Sequence, residues 1–509
     1  MHWNQGYVSD IDYTYGYYSE LNPLQTKLKL IYAGIKPPEV KTACELGFGQ
    51  GVSLLCNAAT SEIEWYGNDF NPNQVSFVNQ AVRESGLGLN VSDESFEQFC
   101  TRKDLPNFDF IALHGIWSWI SDENREIIRR FIAEKLNVGG VLYISYNSEP
   151  GRSAMRPFRE MMEWHSHNSA APDMPILDKI DNSIAFMRNL LATDPVYKKA
   201  YPGIEPMLEE LSKKDKRYLA HEFFNADWTT MSVKKLSEML SDCKLQFAAS
   251  AHPLELLPHI NFTKQQLELI QSINDPIFRE YVKDFCINQD FRRDLWVKGG
   301  QTLSATERMK EFLSLPVTLM TPASEISFDV KTASGNATLA KEIYAPVIES
   351  LRVRSSIKLS EVAHEVRSAV NPIQLFEVCI VLAGKGALCV AQEDSVTQNV
   401  KATSVKLNKF FKNCANYENK VNFLVSPISS TAISVNRFEQ LFLSALEENL
   451  SKPEELSMFV WEKLKLQGEK IVSNGKVIQS DEDNIKHLSD LATKFLNSKL
   501  PELTRLEVH

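Results

Sequence analysis

The stretch Val40-Lys41-Thr42-Ala43-Cys44-Glu45-Leu46-Gly47-Phe48-Gly49-Gln50-Gly51 decides the fold. Its first six residues read as a short β run, and the last five alternate glycine with other residues. Val52 to Ala59 then reads as helix, so strand, tight turn and helix follow one another directly. Glycines let backbone N–H groups approach a ligand closely, and the N–H groups at a helix start favour a negative group. Working outward, Ile63 to Asn68 is a second β run ended by Asp69. Asn71 and Pro72 open the next helix: Asn caps, and proline is tolerated where its missing N–H would have no partner. That helix runs to about Ser85, and Gly86 stops it. Leu89 to Val91, Phe108 to Leu113 and Gly140 to Tyr146 are the next strands, with a helix at Ser121 to Lys135 before the last. Strands separated by helices require crossovers, hence an α/β fold: a doubly wound, mainly parallel sheet with helices on both faces.

Residues 151–240 lose the strand signals and are expected as a helical insertion, after which Leu245 to Ser250 and Phe291 to Lys298 return to the same sheet. This sets a first domain at 1–305. Residues 306–345 read as a linker or loose β ribbon, and 346–509 as a C-terminal α+β region. Within it, helices at Leu359 to Val370 and Pro372 to Gly384 precede a β run at Ala387 to Ala391, an order that suits a winged-helix-like module. Asn474-Gly475 between two β runs marks a hairpin, and an amphipathic helix ends the chain.

Composition narrows the function. The 509 residues carry 55 Lys and Arg against 65 Asp and Glu, a net charge of −10, so neither nucleic-acid binding nor a polybasic membrane anchor is expected. Eight scattered cysteines form no CxxC pair, which speaks against a disulfide framework and a zinc site; no metal is expected. His165 and His167 are two apart and would not share a helix face. The N-terminus lacks a basic-then-apolar pattern and no long apolar span occurs, so a cytoplasmic location is expected.

Asp69 lies 18 residues after Gly51, where an acid can accept hydrogen bonds from both ribose hydroxyls of a nucleoside. The third glycine of a dinucleotide-binding turn is missing at its required offset, and no phosphate-binding GxxxxGK[ST] occurs. The pattern E-x-G-x-G-x-G instead looks like the first motif of class I S-adenosylmethionine-dependent methyltransferases. The expected cofactor-binding residues are Glu45, Gly47, Phe48, Gly49, Gly51, Asp69 and Phe70, with Asp93 toward the adenine amino group and His114 after the fourth strand. An exposed helix start is the alternative for Asp93.

The resemblance then tightens. It is carried by Tyr17-Tyr18-Ser19-Glu20-Leu21-Asn22-Pro23, the ELGFGQG turn, Tyr66-Gly67-Asn68-Asp69-Phe70-Asn71-Pro72 and His114-Gly115-Ile116-Trp117-Ser118-Trp119-Ile120. Tyr143-Ile144-Ser145-Tyr146-Asn147, Pro150-Gly151, Tyr218-Leu219-Ala220-His221-Glu222, Phe291-Arg292-Arg293-Asp294 and the NGKVI hairpin extend it along nearly the whole chain. The chain resembles bacterial class I methyltransferases with a methyltransferase regulatory domain, a group that includes rickettsial protein-lysine methyltransferases. The resemblance implies a Rossmann-like sheet, S-adenosyl-L-methionine as cofactor and a protein substrate.

Methyl transfer from a sulfonium is an in-line displacement for which the protein mainly supplies alignment. A lysine acceptor must be neutral, and with a reference pKa of ~10.4 this costs about 4.6 kcal/mol at pH 7. Burial lowers that pKa, and aromatic faces attract both sulfonium and ammonium. Tyr18, Trp117, Tyr146 and Asn147 are therefore the expected acceptor-pocket residues, with Trp119 beside them and Tyr15 and Tyr17 as further lid residues. His114 is either a base for the departing proton or a hydrogen-bonded structural residue. Of Arg292 and Arg293, one is expected to point inward and pair with an acid. A small-molecule acceptor and a non-catalytic cofactor-binding module are the alternative functions, and a homodimer is left open.

Overall fold

The computed structural model describes residues 13–169, 174–473 and 475–509. The reading of the extreme N-terminus, residues 1–12, and the hairpin residue Asn474 lie outside the described residues. Seven strands, β1 (Thr42–Leu46), β2 (Glu64–Asn68), β3 (Leu89–Ser92), β4 (Phe108–Leu113), β5 (Leu136–Asn147), β6 (Leu245–Ser250) and β7 (Phe291–Lys298), form one sheet. Their order is β3-β2-β1-β4-β5-β7-β6. β1 is parallel to β2 and β4, and β4 to β5, while β7 runs antiparallel between β5 and β6. The sheet is built outward first on one side of β1 and then on the other. Crossovers therefore diverge at the β1–β4 boundary and leave a crevice over the carboxyl ends of those strands.

Local chemistry explains the neighbouring helices α1 (Pro23–Tyr32), α2 (Val52–Ala59), α3 (Pro72–Ser85), α4 (Phe96–Cys100) and α5 (Asp122–Lys135). Asn71 accepts from the Asn73 N–H, Pro72 occupies the first turn, and Gly86 closes α3 in a left-handed conformation. Ser121 caps α5 in the same way through the Asn124 N–H. Strand residues alternate between two cores. Ala43, Trp65, Phe110, Val141 and Tyr143 face α2 and α3, whereas Cys44, Leu46, Ile111, Leu142 and Ile144 face α5. Each fully buried large side chain contributes roughly 1.5–3 kcal/mol.

The insertion is helical and has its own core. Met155, Phe158 and Met162 pack with Ile184, Met187, Leu219 and Phe223. Residues 306–345 hold more than a linker. A helix at Ala305–Ser314 leads into β8 (Pro316–Leu319), and a ribbon of β9 (Asp329–Thr332) and β10 (Gly335–Thr338) follows. β8 is the central strand of a small antiparallel sheet, between β11 (Ile357–Lys358) and β12 (Leu388–Val390). Helices Leu359–Glu365 and Pro372–Gly384 complete this unit. The first of them stops five residues early because Asn371 leaves helical geometry to cap the second, accepting from the Ile373 and Gln374 N–H groups.

The last part of the chain packs directly on the large sheet's helices. Leu407, Phe410 and Phe411 of helix Asp394–Ala415 share a core with Val75, Val78 and Ala81 of α3. β13 (Phe423–Ser426) and β14 (Thr431–Ser434) form a hairpin whose Ser430 hydroxyl donates to the Thr60 carbonyl over 3.0 Å. The Gln25 amide ties α1 to this region, donating to the carbonyls of Val390 and Ser429 at 2.9 and 3.0 Å. Val472–Ser473 pairs with Lys476–Val477 as a short hairpin. Among the described residues no helix is long and apolar enough to cross a membrane.

Candidate functional site

The turn after β1 is shaped by positive φ angles of 66° at Gly47, 59° at Gly49 and 68° at Gly51. At the outer two positions a side chain is also excluded by space. A Cβ on Gly47 would sit 2.4 Å from Ile116 Cδ1, and one on Gly51 2.3 Å from Val78 Cγ2. The Gly47 N–H donates to the Asn68 carbonyl over 2.8 Å, which locks the ends of β1 and β2 together.

Asp69 follows β2 and is 6% exposed. Its Oδ2 accepts from the Gly49 N–H at 2.8 Å and its Oδ1 from the Asn71 N–H at 3.0 Å. With its nitrogen turned inward, the Gln74 amide donates to both oxygens, at 2.8 and 3.0 Å. Burial pushes the Asp69 carboxyl up to about 7, against the pull of those two backbone N–H groups. Glu45 is 3% exposed, and among the described residues its buried Oε2 has no hydrogen-bond partner. Burial, and secondarily the neighbouring Asp69, raise it to about 8. A buried acceptor left unpaired is costly, so this part of the cavity is built to receive a ligand with donors or positive charge.

One cavity is lined by this turn, Asp69, Phe70 and Gln74 and also by Tyr18, His114, Trp119, Glu222, Asn225 and Asp227. The Tyr18 N–H donates to Ser53 Oγ at 2.9 Å, and its ring lies on His114 with centroids 4.0 Å apart. His114 Nδ1 is 2.7 Å from the Tyr143 hydroxyl, and burial pushes the imidazole down to about 4, so it is neutral at pH 7. The cavity wall includes Glu45, Asp69, Glu222 and Asp227 but, among the described residues, no lysine or arginine.

Of the residues singled out from the sequence, Glu45, Gly47, Phe48, Gly49, Gly51, Asp69, Phe70, Tyr18 and His114 are brought together here. Four are placed elsewhere. Trp117 is fully buried in the α5-side core, where the Arg125 Nε donates to its carbonyl at 2.9 Å; Trp119, two residues on, faces the cavity. Tyr146 is fully buried, and its hydroxyl donates to Asp294 Oδ2 at 2.8 Å. That acid also pairs with Arg292, which reaches Asp284 at 2.5 Å and Glu280 at 3.3 Å: the inward arginine is structural. Arg293, on the other face, pairs with Glu20 at 3.0 Å. The Asn147 N–H is held by Ser118 Oγ at 2.8 Å, away from the cavity. Asp93 is exposed, and Ser95 and Phe96 of the next turn line the cavity instead. Tyr15 and Tyr17 pack on Phe77 and Phe423, which leaves Tyr18 as the cavity residue of the three.

Sequence reasoning assigned no chemistry to Glu222, Asn225 or Asp227. They sit on and just after helix Lys216–Phe223 of the insertion. Arg159 anchors them, its guanidinium donating to the carbonyls of Glu222 and Asn225. The one available signal was the Tyr218-Leu219-Ala220-His221-Glu222 stretch, which sets a histidine and an acid beside apolar residues of helix Lys216–Phe223.

Residues 215–298 match the family model described as a predicted methyltransferase regulatory domain. The chain is similar to the Synechocystis sp. protein sll1526, with 34% identity over 514 residues that cover 100% of both chains. It is 23% identical over 516 residues to the Rickettsia prowazekii protein RP789, covering 94% of this chain and 90% of that one. Among solved structures it is similar to PKMT2 from Rickettsia typhi in complex with AdoHcy, with a TM-score of 0.69 at 17% identity, covering 95% of this chain and 98% of that one.

Proposed function

The chain, which shares a family with sll1526 over its full length, belongs to the class I methyltransferases that carry a methyltransferase regulatory domain, and from that premise we propose that it transfers methyl from S-adenosylmethionine to the lysine side chain of a protein. The observation that carries the cofactor half is the buried, unpartnered Glu45 carboxylate beside Asp69, at the mouth of the three-glycine turn. That donor set fits a nucleoside with a cationic tail. Asp69 would accept from ribose hydroxyls, the turn lets the backbone come close, and Glu45 meets the positive charge. Bound S-adenosylmethionine supplies an electrophilic methyl group. The bound AdoHcy of the Rickettsia typhi PKMT2 structure supports the same choice of cofactor.

The acceptor half rests on the lining. A wall with four carboxyl groups and no described cation offers hydrogen-bond acceptors but no counter-charge for a carboxylate or phosphate acceptor, which favours an amine. Tyr18, His114 and Trp119 line the cavity, and aromatic surface attracts an ammonium and excludes water around it. Desolvation there lowers an amine's pKa toward the neutral form that attacks.

Incubating the purified protein with a cell extract and methyl-labelled S-adenosylmethionine tests both halves. Label in protein that hydrolyses to methyllysine is expected, and Asp69→Ala is expected to abolish it. Label confined to small molecules overturns the acceptor, and absence of S-adenosylhomocysteine binding by calorimetry overturns the cofactor.

A further inference from the structure

Resting on that reading of the cavity, we infer that Glu222, supplied by the segment matching the regulatory-domain model, is the group that binds the acceptor ammonium and takes its proton. Glu222 lines the cavity together with Tyr18, His114 and Trp119, and its charge acts on the neighbouring Tyr18 phenol. Its backbone is fixed by Arg159, so the carboxylate is presented by a rigid helix end. Among the described residues the carboxylate makes no hydrogen bond or ion pair; Arg152, Lys214 and Arg159 act on it only through their fields.

The histidine and the phenol of this cavity are weaker candidates. His114 is committed to the Tyr143 hydroxyl and is too poor a base once burial has lowered it to about 4. Burial raises the Tyr18 phenol, so it stays protonated. Burial brings Glu222 to about 7, where a carboxylate accepts a proton from an amine and returns it to water near neutral pH.

The step balances. An ammonium N–H proton passes to a Glu222 oxygen, leaving a neutral amine. The nitrogen lone pair forms the new N–CH3 bond as the C–S bond breaks, and its electron pair stays on sulfur. The positive charge moves from the sulfonium to the methylated ammonium, and Glu222 releases its proton to solvent. The segment thought of as regulatory thereby completes the acceptor site.

The test needs no protein substrate. Two analogues of S-adenosylhomocysteine, with nitrogen in place of sulfur, carry either a 3-aminopropyl or a propyl arm on that nitrogen. At pH 8 the wild type is expected to bind the aminopropyl probe at least tenfold more tightly, and the preference to shrink toward pH 6 as Glu222 protonates. The charged and titratable groups facing Glu222 are Arg152, Arg159, Lys214, Tyr18 and Tyr218, and burial raises both phenols, which stay protonated across that range. Asp69 and Glu45 of the same cavity also gain protons toward pH 6, so the part of the trend owed to Glu222 is the part that Glu222→Gln removes. Glu222→Gln is expected to lose the preference with S-adenosylhomocysteine affinity within twofold of wild type. Glu222→Asp, which keeps the charge on a shorter stem, is expected to retain part of it. A wild type that does not discriminate, or a Glu222→Gln variant that still does, overturns the assignment. Failure of the wild type to bind S-adenosylhomocysteine overturns the underlying cofactor reading and the assignment with it.

Discussion

Two groups of cavity residues are built in opposite ways. The glycine-turn group comes from residues 45–51 and 69–74, two short stretches joined by adjacent parallel strands. The second group takes Tyr18 from before the sheet, His114 and Trp119 from after β4, and Glu222 from an inserted helix. On the proposed reading, a cofactor common to many reactions would be held by the local device, and the acceptor would be met by the side chains that only tertiary packing assembles.

Trp117 and Trp119 give the sharpest way to break that comparison. Trp117→Ala is expected to cost about 3–5 kcal/mol of stability, because it empties a fully buried site. Trp119→Ala is expected to cost about 1 kcal/mol or less while impairing methyl transfer. Chemical denaturation of the two variants beside an activity assay separates them; equal stability losses would dissolve the distinction between wall and core.

Asp69→Ala comes next. Losing hydrogen bonds to a charged acceptor is worth roughly 1.5–3 kcal/mol, so S-adenosylhomocysteine affinity is expected to fall about 10- to 100-fold by calorimetry. Tyr146→Phe probes a residue that looked like pocket and is scaffold. It strips one partner from buried Asp294 and is expected to cost about 1–2 kcal/mol of stability, with cofactor affinity unchanged.

The smallest effect is a pH dependence. Asp69 and Glu45 hold their protons more tightly in the folded chain than in the unfolded one, at about 7 and about 8. Their contribution to stability is therefore complete near pH 4 and is lost as pH rises through 7 and 8. The melting temperature of the ligand-free protein is expected to fall by a few degrees between pH 6 and pH 8.5, less steeply in Asp69→Asn. Hydroxyl donors to Asp69 favour its ionised form, so S-adenosylhomocysteine is expected to bind more tightly at pH 8 than at pH 6. Scanning calorimetry and titration calorimetry read the two trends.

Legibility in the sequence followed the range of the interactions. The β1 turn was readable because strand, glycines and helix lie within twenty residues and their geometry is local. β8 was missed because Pro316–Leu319 is four residues long and becomes a strand by pairing with Ile357–Lys358 and with Leu388–Val390, some forty and seventy residues on. The choice between Trp117 and Trp119 was hidden because no strand or helix period governs the turn after β4. That one of Arg292 and Arg293 points inward to pair with an acid was readable, but not that it is Arg292, nor that it is the centre of three acids from two elements.

By itself the sequence determined the order of strands and helices, the glycine turn and the acid one strand over, since each rests on backbone preferences within a few residues. Tertiary structure alone decided that the insertion brings Glu222 to the cavity, that Tyr146 and Trp117 serve the core, and that helix Asp394–Ala415 packs on α3. Those outcomes depend on burying apolar faces and pairing charges from distant parts of the chain, and no local pattern encodes which face meets which.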